Sequence, residues 1–280
     1  MVYGNTTLDR AARNAAIVLA RAPAAVPILP GCERPSRRDL LTARETHGPE
    51  GLGDHPAPPP PAVRPSDTAI IDALRGAGAP VTLVTLGPLT NLAAALRRDA
   101  GLVRSLVRRH VAMGGSLRAR GTANEIAEFN VWCDPEAADE VLRAGLGSEF
   151  VGLDVTRKLV IPAAAVRKLA THEDPDARWL GGLLGFYVRF HQQVEGLEGA
   201  VINDPLAIAL AVEPSWGRCE QHPARVSLSD GPSRGRTSIE SRSAGDPEAR
   251  FFLDFDLDRV HSLLLDHLFG RWLSRADFAA

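Results

Sequence analysis

The chain has 280 residues, of which 45% are hydrophobic and 24% are charged, and its formal net charge is −2. This length and apolar content predict one globular domain and exclude a fibrous or wholly disordered chain, and the near-neutral charge gives no electrostatic reason to expect nucleic acid or a membrane surface as a partner. No apolar run reaches the roughly 18 residues of a membrane span, and the three cysteines form no zinc pattern, so we expect a cytoplasmic protein.

The N-terminal part of the chain contains little predicted regular structure after an initial helix. Apolar residues at helical intervals predict this helix over about 7–21, and the short apolar run at 25–29 has the pattern of a buried strand. The stretch from 32 to 65 lacks periodicity and includes a proline run. Because a loop this long inside a compact domain is usually functional or disordered, we interpret about 40–65 as a flap over a ligand site.

Strands and helices alternate through the rest of the chain. Strands are predicted at 81–86, 110–113, 150–154, 226–229 and 250–255. Helices are predicted at 67–76, 90–98, 102–109, 134–144, 162–170, 176–194, 205–212 and 256–269. This order predicts an α/β fold with a mostly parallel central sheet flanked by helices. Ligands of such sheets bind outside the carboxyl ends of the strands, so functional residues are expected in the strand-to-helix turns.

A glycine-rich segment follows the predicted strand that ends at Met113. Gly114 and Gly115 allow a ligand to approach the backbone closely, and Glu128 and Asn130, two residues apart, would point the same way from an extended backbone. A carboxylate beside a carboxamide suits a polyol, because together they accept from and donate to hydroxyl groups. On spacing alone, a glycine-rich turn with two solvated polar residues is the simpler interpretation.

Two further segments carry polar residues suited to chemistry. Asp204 before a proline and an apolar helix has the pattern of a helix N-cap, and the same carboxylate could bind a hard cation, although one carboxylate does not make a metal site. Tyr187 and His191 are four residues apart and share one helical face, where a packing pair is the simpler interpretation. His47 lies in the predicted flap and is the histidine most expected to contact a ligand.

Seven motifs in this order and spacing resemble the inosine–uridine-preferring nucleoside hydrolases. They occupy residues 4–7, 47–53, 86–93, 113–115, 127–137, 152–156 and 203–207. The resemblance implies a single nucleoside hydrolase-like domain over 1–280 with a Rossmann-like sheet. It also implies hydrolysis of the N-glycosidic bond of a ribonucleoside to ribose and free base, by a water that Ca²⁺ activates. A homodimer or homotetramer is expected from the family.

Carried over by position, the resemblance assigns roles to individual residues. Asp204 and the backbone carbonyl of Leu86 would bind the calcium ion. Four residues would surround the ribose: Asn5, Met113, Glu128 and Asn130. Asn203 occupies the position where many members have a histidine proposed to protonate the leaving base, and an amide cannot act as a general acid. No catalytic residue is therefore assigned, and His47 and His191 are the remaining candidates for a proton donor.

One element of the family has no counterpart in the sequence. The Asp-rich loop after the family's first strand is absent, and residues 2–5 resemble the end of the second strand, so we expect a first βα unit of roughly 30 residues to be missing. The calcium site would then be incomplete and the chain as written inactive or nearly so. Two explanations stay open: a gene whose start lies upstream, giving an ordinary hydrolase, or a non-catalytic nucleoside-binding or scaffold protein of the same fold.

Overall fold

The computed structural model of the chain describes residues 1–22, 25–240 and 248–278. The helices span Leu8–Leu19 (α1), Arg44–His47 (α2), Ala69–Ala77 (α3), Thr90–Leu106 (α4), Phe129–Cys133 (α5), Pro135–Arg143 (α6), Leu153–Thr156 (α7), Ala163–Ala170 (α8), Pro175–Phe190 (α9), Asn203–Val212 (α10) and Leu257–Leu264 (α11). The strands span Val81–Thr85 (β1), Val107–Met113 (β2), Glu149–Val151 (β3), Val160–Pro162 (β4), Gly199–Val201 (β5), Gly217–Val226 (β6), Thr237–Ile239 (β7) and Glu248–Phe255 (β8). None of the helices in the described ranges is long and apolar enough to cross a membrane.

The main sheet has the order β1-β2-β3-β8-β6-β7. β1, β2, β3 and β8 pair in parallel, whereas β6 pairs antiparallel with both β8 and β7. β4 and β5 form a separate antiparallel pair. Helices cover both faces of the main sheet, so the predicted α/β class with a mostly parallel sheet is confirmed.

Successive side chains of strand β2 point alternately into two hydrophobic cores, one on each face of the sheet. Val111 and Met113 of β2 enter the core that α8, α9, α10 and α11 cover, and Ala112 between them enters the core that α3, α4 and α6 cover. This is the alternation that a strand buried on both faces produces. The carboxyl end of β2, at Met113, is therefore held by packing on both sides of the sheet, which fixes the turn that follows it.

Several predicted elements differ from the structure. The run 25–29 is irregular, and its apolar side chains Val26 and Leu29 are 56% and 41% exposed, so the buried-strand prediction is wrong. The helices predicted at 90–98 and 102–109 form one element, α4, interrupted at Asp99, whose backbone leaves the helical region while its carboxylate accepts from the Leu102 amide at 2.9 Å. This carboxylate caps the restarted helix, which ends at Leu106 because the next residues enter β2.

A buried carboxylate ties the N-terminal segment to the helices beside the sheet. Asp134 is fully buried and accepts from Thr90 Oγ1 at 2.8 Å, from the Ser36 amide at 2.9 Å, from Ser36 Oγ at 3.0 Å and from the Ala137 amide at 3.1 Å. Thr90 Oγ1 also lies 2.7 Å from the hydroxyl of buried Tyr3. One acid thus caps α6 and joins it to the start of α4 and to the loop around residue 36.

A buried histidine on β2 makes a testable contribution to acid sensitivity. His110 is fully buried, with Nε2 2.9 Å from Thr85 Oγ1 and Nδ1 2.8 Å from Ser148 Oγ, and burial lowers its pKa from 6.5 to about 4. The unfolded chain binds a proton here near pH 6.5 while the folded protein does not, so stability falls as the pH drops from 6.5 towards 4, by at most about 1.4 kcal/mol per unit.

We expect His110→Gln to lose less stability than the parent protein between pH 7 and pH 5, as measured by urea unfolding. His267→Gln, at an exposed position, is the control, and its stability should depend on pH as that of the parent protein does. An unchanged pH dependence in the His110 variant would contradict this assignment.

Candidate active site

A cavity of about 850 Å³ lies where β1, β2 and β5 end, bounded by the flap and by α9 and α10. All nine residues that the sequence singled out line it: Asn5, His47, Leu86, Met113, Glu128, Asn130, His191, Asn203 and Asp204. Their assembly in one cavity is a finding of the structure, whereas their individual roles stay predictions. The position agrees with the general placement of ligands at the carboxyl ends of parallel strands.

Glu128 reaches the cavity wall by a route that the sequence did not predict. It is the N-cap of α5 and not part of an extended segment: its carboxylate accepts from the amides of Asn130 at 2.7 Å, Gly115 at 3.0 Å and Val131 at 3.0 Å. The extended-backbone prediction for Glu128 and Asn130 is therefore wrong. Burial raises the pKa of Glu128, and the three backbone donors oppose that rise. The acid holds the glycine turn and the first turn of α5 together.

Asn130 is oriented by the strand end beneath it. Its Nδ2 donates to the Met113 carbonyl oxygen at 3.2 Å and lies 3.3 Å from the Met113 sulfur. Gly115, in the turn between them, has a φ of +79°, a backbone conformation that favours glycine. The paired glycines thus allow the turn that brings α5 back over the end of β2.

Asp204 is the second residue of α10, which begins at Asn203 after the extended residue Ile202. The prediction that Asp204 is the N-cap is wrong by this placement, and its carboxylate faces the cavity. Burial raises the pKa of Asp204 to about 7, and the nearby charge of Glu128 adds to the rise. Asn203 donates from Nδ2 to the Tyr187 hydroxyl at 3.4 Å, and its Oδ1 is buried without a partner among the described residues.

Three neighbouring rings lie on the wall formed by the flap and α9: His47 is stacked on Tyr187, and His191 is tilted against Tyr187. The Tyr187 ring centre lies 5.4 Å from that of His47 and 4.1 Å from that of His191. Burial lowers the pKa of His47 to about 4, with a further contribution from His191, and burial also lowers the pKa of His191. Both histidines are therefore neutral near pH 7, which makes them poor sources of an acidic proton. The rings present flat, mostly apolar faces that suit an aromatic ligand.

The flap is tied to the helices on either side of it. Arg13 and Asn14 of α1 donate to the Glu50 carbonyl oxygen at 3.0 and 2.8 Å, and Arg13 also pairs with the Glu50 carboxylate at 2.8 Å. On the α9 side, Asp54 pairs with Arg189. These contacts hold α2, and with it His47, over the cavity.

Sequence reasoning missed part of the cavity wall. Arg157, directly after α7, and Glu195, in the π-helical turn His191–Glu195 that extends α9, both line the cavity. Glu195 follows His191 by four residues, which places both on one helical face, and this spacing is the signal that could have indicated it. Arg157 carries no such signal, because the short helix before it has no detectable periodicity.

The described residues do not form a complete calcium site. They contain no group of three or more His, Cys, Asp or Glu side chains that could hold a metal ion. The two predicted ligand residues, Asp204 and Leu86, both line the cavity, but one carboxylate and one backbone carbonyl are far fewer than the about 6–8 oxygen ligands that Ca²⁺ takes. The oxygens of Glu128 are taken up by backbone amides. We therefore derive no reaction step through a metal.

A second groove of about 1070 Å³ lies between α4, α6 and residues 228–234. It is larger, but six of its charged side chains pair with one another: Arg97 with Glu140, Arg143 with Asp139, and Arg234 with Glu136. These paired charges indicate a solvated surface more than a site for a small molecule.

Comparison with known proteins identifies the family. The model of the inosine-uridine preferring nucleoside hydrolases matches residues 1–262. Because this match starts at residue 1, it lends no support to the predicted loss of a first βα unit. The pyrimidine-specific ribonucleoside hydrolase RihA of Enterobacter sp. (strain 638) is 33% identical over 273 residues, covering 95% of this chain and 86% of the relative.

Solved structures agree with this match. The purine-preferring ribonucleoside hydrolase from Gardnerella vaginalis superimposes with a TM-score of 0.83 at 28% identity, over 93% of this chain and 85% of that one. A plant nucleoside hydrolase gives a TM-score of 0.83 at 28% identity, over 94% and 86% of the two chains. The chain therefore belongs to the inosine-uridine preferring nucleoside hydrolase family.

Proposed function

We propose that the 850 Å³ cavity binds a ribonucleoside and that the protein hydrolyses its N-glycosidic bond to ribose and free base. One observation carries this proposal: Asn130, Asp204 and the rings around Tyr187 line the same cavity at the carboxyl ends of the strands. The polar side chains of Asn130 and Asp204 match the polyol half of a nucleoside, and the rings around Tyr187 match its aromatic base.

In this proposal the ribose lies beside Asn130 and Asp204. The Asp204 carboxylate accepts from ribose hydroxyls, and Asn130 is held for the same purpose by the Met113 carbonyl. Glu128 acts mainly by fixing the backbone of Gly115 and Asn130, because its oxygens already accept three backbone hydrogen bonds. The base then lies against Tyr187, near Asn203, which can orient a leaving base by hydrogen bonding but cannot donate an acidic proton.

The calcium requirement implied by the resemblance is also a proposal. Because the described residues supply few oxygen ligands, we expect this 280-residue chain to bind Ca²⁺ weakly and to cleave nucleosides slowly. Ligand binding is therefore the more sensitive measurement. The same shortage of ligands favours the second candidate function, a nucleoside-binding protein of this fold without catalysis.

The base preference is proposed from the relatives. The curated relative compared above, RihA, is named as pyrimidine-specific, whereas one solved neighbour is named as purine-preferring. We propose a pyrimidine nucleoside as the preferred ligand, since RihA is the more similar in sequence at 33% against 28%.

The test measures binding and cleavage on the same preparation. Uridine, cytidine and inosine are titrated calorimetrically, and released ribose is assayed as reducing sugar with and without added CaCl₂. Saturable binding with ribose release supports the hydrolase, whereas binding without release at any calcium concentration supports the non-catalytic alternative. If none of the three nucleosides binds, both are wrong.

A further inference from the structure

One end of the cavity carries an ion pair that the proposed reaction does not use. Arg157 Nη2 lies 3.5 Å from Glu195 Oε1, and Glu195 Oε2 lies 4.0 Å from Nε2 of His191. Both charged side chains line the cavity and are largely buried, with 28% of Arg157 and 17% of Glu195 exposed. Tyr187 and Asp204 line the same cavity as this pair.

The pair retains unused hydrogen-bonding capacity. Separations of 3.5 and 4.0 Å are longer than those of good charged hydrogen bonds, so neither Glu195 oxygen is saturated by these contacts. Arg157 Nε is buried and has no hydrogen-bond partner among the described residues. Buried donors are nearly always paired in folded proteins, so this loosely held guanidinium at the cavity wall retains capacity for a further acceptor.

The donor and the acceptor complement one chemical pattern. The polar edge of a pyrimidine base presents an acceptor, a carbonyl oxygen in uracil or the ring nitrogen in cytosine, directly beside an N–H donor, and a guanidinium next to a carboxylate matches this pair. Contact with the Tyr187 ring would fix the plane of the base. The polar edge of the base would then be directed towards Arg157 and Glu195.

We propose that Arg157 and Glu195 recognise the polar edge of the nucleobase, Arg157 donating to an acceptor on that edge, such as a carbonyl oxygen of uracil, and Glu195 accepting from the adjacent N–H. This inference rests on the proposed function and makes the two residues determinants of specificity. They do not take part in bond cleavage. A merely structural ion pair would affect the binding of all nucleosides equally. Residues that bind the base edge would instead weaken the binding of a nucleoside whose base N–H is blocked.

The experiment compares uridine with 3-methyluridine, which has a methyl group in place of the ring N–H. Dissociation constants are measured by calorimetry for the parent protein, Glu195→Ala, Arg157→Lys and the control Glu198→Ala, whose side chain is exposed. The parent is expected to prefer uridine by at least about tenfold, the strength of a charged hydrogen bond. Glu195→Ala should bring the two constants together, and Glu198→Ala should keep the parent's ratio.

Arg157→Lys provides an independent arm, because lysine keeps the charge opposite Glu195 but lacks the planar guanidinium and its paired N–H donors. It should weaken uridine binding about tenfold and leave the discrimination by Glu195 in place. If the parent binds both nucleosides equally, or if Glu195→Ala keeps the parent's ratio, the inference is wrong while the proposed function stands. If neither nucleoside binds the parent, the proposed function itself fails.

Discussion

Replacing Asp204 with asparagine is expected to stabilise the free protein and to weaken ribonucleoside binding. Burial raises the pKa of this carboxyl from 3.8 to about 7, so ionising it costs folding free energy as the pH rises from 3.8 to 7. Allowing for its partial contact with the cavity, we expect Asp204→Asn to gain roughly 2 kcal/mol at pH 8 and almost nothing at pH 4. A stability gain at a site that loses function is typical of functional residues.

The same substitution should weaken uridine binding about 10- to 100-fold, because a charged acceptor of ribose hydroxyls is lost. It should also abolish measurable ribose release. Stability is measured by urea unfolding in calcium-free buffer at both pH values, and binding by calorimetry. Asp266→Asn, at an exposed position, is the matched control and should change neither quantity. A destabilised Asp204→Asn protein with parent affinity for uridine would remove this residue from the site.

Replacing Asp134 with alanine is expected to cause the largest loss of stability. The substitution leaves buried Thr90 Oγ1 and the buried Ala137 amide without their acceptor, and it also frees the hydroxyl and amide of Ser36, which is exposed and open to water. Unpaired buried donors of this kind cost about 1–3 kcal/mol each, and we expect a total near 3–5 kcal/mol after relaxation.

Asp256→Ala provides the comparison for Asp134→Ala. Asp256 also caps a helix, accepting from the Arg259 amide at 3.1 Å, but it is exposed. Its loss should cost only about 1 kcal/mol. Urea unfolding of the two variants at pH 7 measures the difference. Equal losses would mean that the buried network adds nothing beyond helix capping.

The parallel part of the sheet could be predicted because short runs of β-branched and apolar residues between helices are typical of buried parallel strands. The β-branched run of β1 and the apolar end of β2 occur in the predicted places, and the polar residues after them converge because carboxyl ends of parallel strands share one edge. β6 escaped prediction for the opposite reason. It carries Arg218, Glu220 and Pro223, and charged residues and proline are uncommon in strands, so only pairing with β8 and β7 defines it.

The sequence predicted which residues line the cavity more accurately than how their side chains are arranged there. Glu128 lies at the site, but it does so as a helix cap, since its carboxylate satisfies backbone amides that an extended strand would have paired elsewhere. The spacing of Glu195 from His191 could have indicated Glu195, but the pairing of Glu195 with Arg157 could not be predicted, because it depends on how the π-helical turn after α9 meets the end of α7. Such contacts arise from tertiary packing and leave no local pattern.

The most direct test of the central proposal is a crystal structure of the protein with bound uridine. We expect electron density for the ribose beside Asn130 and Asp204, and for the base against Tyr187 with its polar edge towards Arg157 and Glu195. Density in the second groove, among Arg97, Arg104 and Arg143, would contradict the account. So would an empty cavity at a uridine concentration that saturates binding in solution.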